Sequence, residues 1–323
     1  MGLHAAGFVS AFAIDNGRDA CSTYSALFPD SKVCVAPIEE VDLSHLRGHV
    51  DLVAGGPPCQ PFSSGGKRLG ASDERDMIPE FIRAVDIIRP PVFLMENVEG
   101  LSAGQRRTHL SELLRQCGHL GYEVTWKVLN AADYGVPQKR KRLFIVGSRI
   151  GTYQFPSPTH GPQAGTPYRV AGTILSRERH VGIPNPARVF YAKNPEPRPS
   201  PYDGHLFNGG GRPVDLSDVC QTILASSGGN KTPFVDTLDE VPKYHAELRA
   251  GKPPREGELP GGRRLTVDEC ALIQTFPVGM KMSGCRSSQY KQIGNAVPPL
   301  LAKHLGLSIR AHLTGQQGEF TLV

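Results

Sequence analysis

The chain has 323 residues, of which 39% are hydrophobic and 21% charged, and its formal net charge is +5 at pH 7. This composition is typical of a folded protein with one or two domains, and the basic charge permits a polyanionic partner without requiring one. We expect a cytoplasmic protein with no membrane span, disulfide framework or metal site, because no run approaches about 20 apolar residues and the seven cysteines form no Cys-x-x-Cys pair.

Short apolar runs alternate with helical periodicity over the first 150 residues. The runs predict strands at 8–14, 32–35, 50–54, 92–95, 122–129 and 143–147, and the apolar spacing predicts helices at 20–27, 77–88 and 105–120. Strands that alternate with helices favour an α/β fold. We therefore predict a doubly wound, Rossmann-like and mostly parallel sheet in a domain at 1–150.

Asp15 closes the strand predicted at 8–14 and has two interpretations. An acidic residue at the end of a strand in a doubly wound sheet commonly hydrogen-bonds the hydroxyl groups of a ribose. The sequence Asp15-Asn16-Gly17 is also an ordinary turn, and turn chemistry alone would explain it. The residues themselves favour neither interpretation.

Cys59 follows the run at 50–54 in the sequence Gly55-Gly56-Pro57-Pro58-Cys59-Gln60-Pro61-Phe62-Ser63. The glycines permit a turn and the prolines remove ladder donors, so the strand ends here and places Cys59 at its carboxyl end, where open α/β sheets bind ligands. A single cysteine is more often a small buried hydrophobe. Here the stiff backbone favours a nucleophile, and the Ser- and Gly-rich segment at 62–71 is typical of a mobile, basic, lid-like loop.

Two further sites carry charge next to predicted strands. Glu96 follows the strand at 92–95, and a carboxylate at a strand tip needs a partner, although a capping or turn acid is the simpler alternative. The run Lys139-Arg140-Lys141-Arg142 precedes the strand at 143–147. Such a run is usually solvated, but alternate residues of an extended segment face the same side, so both arginines can point into one crevice.

The character of the sequence changes at 151–262, where prolines are frequent, glycines cluster and helical periodicity is weak. We predict an irregular, loop-rich domain, although the segment alone would also fit a linker or flexible insert. In the remaining segment, 263–323, Thr266 and Glu269 have the spacing of a capping box, and a last helix is predicted at 300–313.

Four motifs, taken in this order, resemble those of the S-adenosylmethionine-dependent DNA cytosine-5 methyltransferases. The motifs are Pro57-Pro58-Cys59-Gln60-Pro61-Phe62-Ser63, Glu96-Asn97-Val98, Gln138-Lys139-Arg140-Lys141-Arg142 and Gly294-Asn295-Ala296-Val297. The first is specific by itself, the next two are specific in this order and spacing, and the last is weak alone. The resemblance implies a catalytic and cofactor-binding domain at 1–150, a target-recognition domain at 151–262, and a segment at 263–323 that returns to the catalytic domain.

The resemblance also implies roles for individual residues. The Cys59 thiolate would add to carbon 6 of a flipped-out cytosine, Glu96 would support ring nitrogen 3, and Arg142, supported by Arg140, would contact the ring carbonyl. The expected contacts with S-adenosylmethionine are Asp15, Ile38, Pro57, Asn295 and Ala296. The expected contacts with double-stranded DNA are Gln60, Ser63, Ser64, Lys67, Arg68, Thr222, Gly228, Gly229 and Asn230.

The resemblance has one gap, at the start of the chain. The family opens with a strand and a Phe-x-Gly-x-Gly loop that wraps the methionine end of the cofactor, whereas Met1-Gly2 already corresponds to the helix that follows. Either the start codon lies further upstream, or the chain is a variant with an impaired cofactor site. We therefore expect a sheet that lacks its first strand and glycine loop.

Three functions compete at this point. The first is sequence-specific methylation of DNA at carbon 5 of cytosine by a monomeric, bacterial, nucleoid-associated enzyme, with a cognate restriction endonuclease as a further partner. The second is DNA binding without turnover, because the cofactor loop is absent. The third is the same chemistry on an RNA cytosine. The Pro-Pro-Cys-Gln motif and the long recognition region favour DNA over RNA.

Overall fold

Helices and short strands alternate along residues 1–58, 76–104, 107–195 and 212–315, which are the residues that the computed structural model describes. The helices are α1 (Gly2–Ala5), α2 (Arg18–Leu27), α3 (Ile78–Ile88), α4 (Arg107–His119), α5 (Glu240–Arg249), α6 (Val267–Ile273), α7 (Arg286–Asn295) and α8 (Pro299–Thr314). The strands are β1 (Phe12–Asp15), β2 (Lys32–Val35), β3 (Leu52–Gly55), β4 (Val92–Val98), β5 (Glu123–Asn130), β6 (Gln138–Lys139), β7 (Lys141–Ser148), β8 (Cys220–Gln221), β9 (Phe234–Asp236) and β10 (Gly262–Arg264). None of the helices in these residues combines the length and the apolar character needed to cross a membrane.

The chain divides into two compact units. The first unit consists of Met1–Asn130, Lys141–Ser157 and Ala302–Val323. The second unit consists of Ala131–Arg140 and Pro158–Leu301.

A four-stranded mixed sheet forms the centre of the first unit, with the strand order β3-β4-β7-β5. β3 and β4 run parallel, and β7 is antiparallel to both β4 and β5. β4 is deeply buried, because Val92, Phe93 and Met95 are fully enclosed. Side chains from α3 and α4 share this core, among them Phe81, Val85, Leu110, Leu113 and Cys117. This burial on all sides explains the continuous apolar run from which the strand was predicted.

A separate sheet in the first unit consists of β1 and β2, which pair in parallel with Asp15 opposite Val35. Among the described residues, no backbone ladder joins this pair to β3. Side-chain packing makes the connection instead, since Phe12 of β1 and Val53 of β3 contact the same small core around Ile88. The architecture is the predicted α/β fold, with its parallel strands in separate pairs and antiparallel strands at one side.

The second unit has little regular structure. Its strands are short: β6 pairs in parallel with β8, and β9 pairs with β10 in antiparallel fashion. Much of its core comes from loops and from α6 and α7, including Ile223, Leu265, Ile273, Tyr290 and Ile293. This arrangement agrees with the irregular, loop-rich character predicted from the prolines and glycines.

The boundaries of the two units differ from the three predicted domains. Residues 131–140 belong to the second unit, and the predicted C-terminal segment is divided inside α8. The reason is packing, because Cys270 of α6 and Ile293 of α7 share a core with Ile223. α6 and α7 are therefore part of the second unit, and only the chain from Ala302 onward belongs to the first.

The capping box at the start of α6 is confirmed. Oγ1 of Thr266 accepts a hydrogen bond from the Glu269 amide over 3.0 Å, and Oε2 of Glu269 accepts one from the Thr266 amide over 2.9 Å. These bonds satisfy amide groups at the N-terminus of the helix, where no intrahelical acceptor is available.

Gly147 in β7 is expected to tolerate no side chain. It lies opposite Phe93 of β4, and a Cβ atom at this position would overlap Cε1 of that ring. Phe93 is fully enclosed, so the ring has no free space into which it can move. We expect Gly147→Ala to lower the free energy of unfolding by about 2 kcal/mol or more, as measured by guanidinium denaturation.

Gly118 in α4 provides the matched control for this substitution. A Cβ atom at Gly118 would stand in open space. Alanine restricts the unfolded chain, so Gly118→Ala is expected to raise the free energy of unfolding by about 0.5 kcal/mol. A Gly147→Ala variant as stable as the wild-type protein would contradict the packing of β7 on β4.

Candidate active site

The chain that leads to Cys59 is held by hydrogen bonds to two neighbouring elements. Nδ2 of Asn97 donates to the carbonyl of Pro57 over 3.2 Å, and the Met77 amide donates to the carbonyl of Pro58 over 3.0 Å. Asn97 is buried, and its Oδ1 accepts from the next amide of β4, so its side chain is held at both ends. The two residues before Cys59 are therefore anchored to β4 and to the start of α3.

Cys59 itself lies outside the described residues, and so do the predicted DNA contacts Gln60, Ser63, Ser64, Lys67 and Arg68. Their roles stay predictions. The geometry that bears on the predicted nucleophile comes from the anchored residues before it and from the side chains beside them.

Glu96 and Arg142 meet where β4 and β7 run side by side. Val98 of β4 lies opposite Arg142, so Glu96, two residues earlier on the same face, is a diagonal neighbour of Arg142. Nε of Arg142 lies 3.0 Å from Oε1 of Glu96, and the two side chains are 18% and 17% exposed. The pair is therefore fixed by its neighbours and still reachable from solvent.

The carboxylate of Glu96 also lies beside the turn that carries the predicted nucleophile. A Cβ atom at Gly56 would stand 3.1 Å from Oε2 of Glu96. Gly56 precedes Cys59 by three residues, and a side chain at Gly56 would crowd the carboxylate. The structure thus brings together two of the predicted catalytic residues, Glu96 and Arg142, next to the anchored approach to the third.

Arg140 has a different environment. Its side chain is 1% exposed, and its guanidinium donates to the carbonyl of Ile223 through Nη1 over 3.1 Å and to that of Gly294 through Nη2 over 2.8 Å. All three residues belong to the second unit. The prediction that Arg140 supports Arg142 at a cytosine carbonyl receives no support from these bonds, because backbone carbonyls already accept from both terminal nitrogens.

Three of the predicted cofactor contacts lie at or just after the ends of parallel strands: Asp15 ends β1, Ile38 follows β2, and Pro57 follows β3. Asp15 is exposed at the end of β1, and its Oδ1 accepts from the Gly17 amide over 2.6 Å, which forms the expected turn and fixes the carboxylate at the strand tip. Ile38 follows β2; its side chain packs against the small core around Ile88, and its carbonyl accepts from Nη2 of Arg83 over 2.7 Å. A fixed carboxylate and an apolar side chain after parallel strands suit the ribose and the base of a nucleoside.

The other two predicted cofactor contacts lie at the end of α7, in the second unit. Asn295 is the last residue of the helix and is exposed. The Ala296 amide closes the helix by donating to the carbonyls of Gln292 and Ile293. In the structure these residues end α7, and a cofactor contact stays a prediction.

The predicted DNA contacts that fall among the described residues, Thr222, Gly228, Gly229 and Asn230, lie on one stretch of the second unit. Oγ1 of Thr222 donates to the carbonyl of Lys139 over 2.6 Å. Gly228 and Gly229 have positive φ angles of 145° and 52°, which side chains other than glycine's rarely permit. Asn230 is exposed on the turn that these glycines allow. The backbone of this turn is therefore specified by the sequence, and its contact with DNA stays a prediction.

Burial makes four of the other cysteines poor candidates for the nucleophile. Desolvation raises the pKa of Cys117 to about 12 and the pKa of Cys220 to about 12. It also raises the pKa of Cys21 and that of Cys270. A thiol with a raised pKa forms little thiolate near neutral pH, and the thiolate is the reactive form.

We expect Cys117, Cys220 and Cys270 to react with an aromatic disulfide reagent at pH 8 only after unfolding in guanidinium. The exposed Cys285 should react in the folded protein. Unfolding should increase the reactivity of these thiols, because burial raises their pKa only in the folded protein. In the unfolded chain the pKa returns to its ordinary value, and the thiolate fraction at pH 8 rises. Rapid labelling of Cys220 in the folded protein, located by peptide mass spectrometry, would contradict the burial.

Three residues have central contacts that sequence reasoning missed. Asn97 anchors the turn before Cys59, while Gln138 and Gln274 are fully buried and joined by a hydrogen bond of 3.1 Å from Nε2 to Oε1. Asn97 and Gln138 stand inside the quoted motifs, but no role followed from the pattern. Nothing in the sequence indicated that Gln274 is buried, because glutamine side chains are mostly exposed in folded proteins.

The fold and the site together define a class of enzyme. An acid and a guanidinium meet at neighbouring strands of an α/β sheet, beside the anchored residues that precede Cys59 in the sequence, and this arrangement suits covalent modification of an aromatic ring. The family model for C-5 cytosine-specific DNA methylases matches residues 1–181 and 215–311. The chain therefore belongs to this family of DNA cytosine-5 methyltransferases.

Relatives and solved structures agree with this assignment. Type II methyltransferase M.PspPI of Psychrobacter sp. (strain TA137) is 36% identical over 321 residues, which cover 96% of this chain and 75% of that protein. Type II methyltransferase M1.HphI of Haemophilus parahaemolyticus is 32% identical over 324 residues, which cover 96% of this chain and 82% of that protein.

Two solved methyltransferases share the fold. The Entamoeba histolytica methyltransferase EhMeth superposes with a TM-score of 0.66 at 16% identity, over 98% of this chain and 96% of that one. The S. pombe Dnmt2 methyltransferase superposes with a TM-score of 0.65 at 17% identity, over 96% of this chain and 95% of that one.

Proposed function

We propose that this chain transfers a methyl group from S-adenosylmethionine to carbon 5 of a flipped-out cytosine in a short DNA sequence, through a covalent bond between Cys59 and carbon 6. The observation that carries the proposal is the pair of Glu96 and Arg142 beside the anchored turn that leads to Cys59. Membership of the family supports the choice of DNA as substrate and of carbon 5 as the modified atom.

Each of the three residues has one task in the proposed reaction. The Cys59 thiolate forms the bond to carbon 6, and the electron pair of the ring double bond moves toward carbon 5, which becomes nucleophilic. Glu96 supplies a proton at ring nitrogen 3, and Arg142 stabilises the charge that develops at the ring carbonyl. S-adenosylmethionine, when bound, supplies the methyl group as part of a sulfonium. A water molecule then takes the proton from carbon 5, the returning electron pair expels the Cys59 thiolate, and the proton on ring nitrogen 3 goes back to Glu96.

Arg142 is well placed for this task because two contacts fix it before any substrate arrives. Its Nε lies 3.0 Å from Oε1 of Glu96, and its Nη1 donates to the carbonyl of Lys141 over 2.8 Å. A donor that is already oriented needs no reorganisation when charge develops on the ring, and this preorganisation is a large part of electrostatic catalysis.

The proposed cofactor contacts have a chemistry that suits S-adenosylmethionine. Asp15 would accept hydrogen bonds from the ribose hydroxyl groups, and Ile38 would pack against adenine. The fixed position of the Asp15 carboxylate and the partly buried side chain of Ile38 support this assignment. We include Pro57, Asn295 and Ala296 as further contacts with the cofactor.

The proposed partner is double-stranded DNA. Neighbouring bases cover the face of a stacked cytosine ring, so a thiolate cannot attack carbon 6 inside a duplex and the target base must leave the stack. M.PspPI and M1.HphI are named Type II methyltransferases, and we propose that this chain likewise acts beside a cognate restriction endonuclease. We propose that it works as a monomer in the cytoplasm, in contact with the nucleoid.

Transfer of a labelled methyl group to duplex DNA tests the proposal, with bisulfite sequencing of the product to locate the modified base. We expect label at cytosine carbon 5 within one short sequence. Binding of DNA without any transfer, in a protein with Cys59 intact, would favour the interpretation as a DNA-binding protein without turnover. Label in RNA alone would favour the same chemistry on an RNA cytosine.

A further inference from the structure

Three buried polar side chains hold one short stretch of the second unit. Gln138, Arg140 and Gln274 are 0%, 1% and 0% exposed, and we call them the polar clamp. The amide of Ile223 donates to Oε1 of Gln138 over 3.1 Å, and the carbonyl of Ile223 accepts from Nη1 of Arg140 over 3.1 Å. Side chains therefore bind both backbone groups of this residue, just beyond the point where the β6–β8 ladder ends.

The polar clamp also holds the end of α7. Nε2 of Gln274 donates to the carbonyl of Ile293 over 2.6 Å, and Nη2 of Arg140 donates to that of Gly294 over 2.8 Å. Gln138 connects the two, since its Nε2 donates to Oε1 of Gln274 over 3.1 Å. The last carbonyls of a helix lack their regular intrahelical partners, so these buried donors complete the hydrogen bonding here, beside the bond of 3.2 Å that the Ile293 carbonyl accepts from the Ala296 amide.

α7 and the stretch after Ile223 are in direct backbone contact. A Cβ atom at Gly294 would overlap backbone atoms of Leu224 and Ala225, so the close approach depends on glycine. The position of Leu224 is therefore fixed from two directions, by the polar clamp at the preceding residue and by α7 beside it.

Leu224 opens an exposed loop. Its side chain is 52% exposed, and Ser226 and Asn230 further along the loop are exposed as well. A single exposed leucine is ordinary in a soluble protein. This leucine differs because two buried polar side chains, Gln138 and Arg140, hold the backbone of the residue before it and α7 packs beside it, which makes it an apolar contact point with a fixed backbone position.

We propose that Leu224 is a specificity-determining residue and that the polar clamp positions it against the DNA. This inference rests on the proposed function, which requires that the second unit contact a duplex. An apolar side chain at a fixed position distinguishes thymine from the other bases by contact with the thymine methyl group in the major groove. Arg140 is then a positioning residue that acts through the backbone of Ile223.

The test measures base preference and stability in the same variants of the full chain. The protein is mixed with a library of randomised duplexes, the complexes are separated by gel shift, and the bound DNA is sequenced. We expect Leu224→Ala to reduce the preference for thymine at one or two adjacent positions by about fivefold or more, with an unchanged thermal midpoint. Arg140→Lys should relax the same positions, and the double variant should relax them no further, because both changes act on one contact.

Leu238→Ala is the matched control, because Leu238 is 56% exposed on another loop of the second unit. It should keep the wild-type preference. The inference is overturned if Leu224→Ala keeps the wild-type preference for thymine. It is also overturned if this variant loses base preference equally at every position of the selected sequence. A lower thermal midpoint in Arg140→Lys with a wild-type preference overturns the positioning role. Because Leu224→Ala changes only an exposed side chain, this variant should fold. It therefore tests the role of Leu224 even if Arg140→Lys does not fold.

The readout also separates this inference from the proposed function. Library selection depends on binding, whereas methyl transfer depends on chemistry. A wild-type protein that selects one sequence but transfers no labelled methyl group to it would contradict the proposed reaction and leave the role of Leu224 standing. A wild-type protein that selects no sequence overturns the inference.

Discussion

Cys59→Ser is expected to reduce methyl transfer on the order of 10⁴-fold or more while DNA binding stays at the wild-type level. A serine hydroxyl is not ionised near neutral pH, so the bond to carbon 6 does not form. The substitution should leave the preceding turn intact, because its anchors from Asn97 and Met77 reach backbone carbonyls and involve no cysteine side chain. Transfer is measured in single-turnover reactions with labelled cofactor, and binding by gel shift.

Cys285→Ser is the control for this experiment, because Cys285 is an exposed cysteine that should keep full activity. A duplex with fluorine at carbon 5 of the target cytosine adds a direct test of the covalent bond. Fluorine cannot leave as a proton would, so the final elimination stops and the wild-type protein should stay attached through denaturing electrophoresis. Methyl transfer by Cys59→Ser at more than a tenth of the wild-type rate would show that Cys59 is not the nucleophile.

Glu96→Gln is expected to lower kcat by about 10²- to 10³-fold. Glutamine has nearly the same size, but it forms no ion pair with Arg142, whose Nε lies 3.0 Å from the Glu96 carboxylate, and it cannot take up a proton and pass it to ring nitrogen 3. The lost interaction acts on charge that develops during the reaction, so KM for DNA should change little. Steady-state kinetics separate the two constants.

Glu99→Gln makes the same change of charge three residues away. Glu99 lies 3.8 Å from Lys141, and these two side chains are 51% and 60% exposed, so the ion pair contributes little. Glu99→Gln should therefore have the wild-type kcat. An equal loss in both variants would mean that the net charge matters and the position of Glu96 does not.

Local sequence patterns are enough to predict the features that depend on neighbouring residues. The strand predicted at 32–35 coincides with β2, and the predicted helix at 77–88 differs from α3 by one residue. The alternation before β7 is also observed, since Arg140 is buried and the flanking lysines at 139 and 141 are exposed. In each case the period of the backbone decides which side chains face inward.

Partners that are distant in the sequence could not be predicted in this way. The alternation indicates that Arg140 turns inward, but it carries no information on the carbonyls of Ile223 and Gly294 that receive its hydrogen bonds. The strand predicted at 8–14 forms only from Phe12 onward. Val9 is apolar but 82% exposed, which shows that an apolar residue in a strand-like run is not necessarily buried.

The separate pairing of β1 with β2 has a consequence for how the first unit holds a ligand. A two-stranded ribbon is marginally stable by itself, and among the described residues its link to β3 is the side-chain packing around Phe12 and Ile88 rather than a ladder. Its amide protons should exchange through local opening, well before the four-stranded sheet unfolds. Because Asp15 ends β1 and Ile38 follows β2, a molecule bound by both would stabilise the ribbon against that opening and slow the exchange of its amide protons.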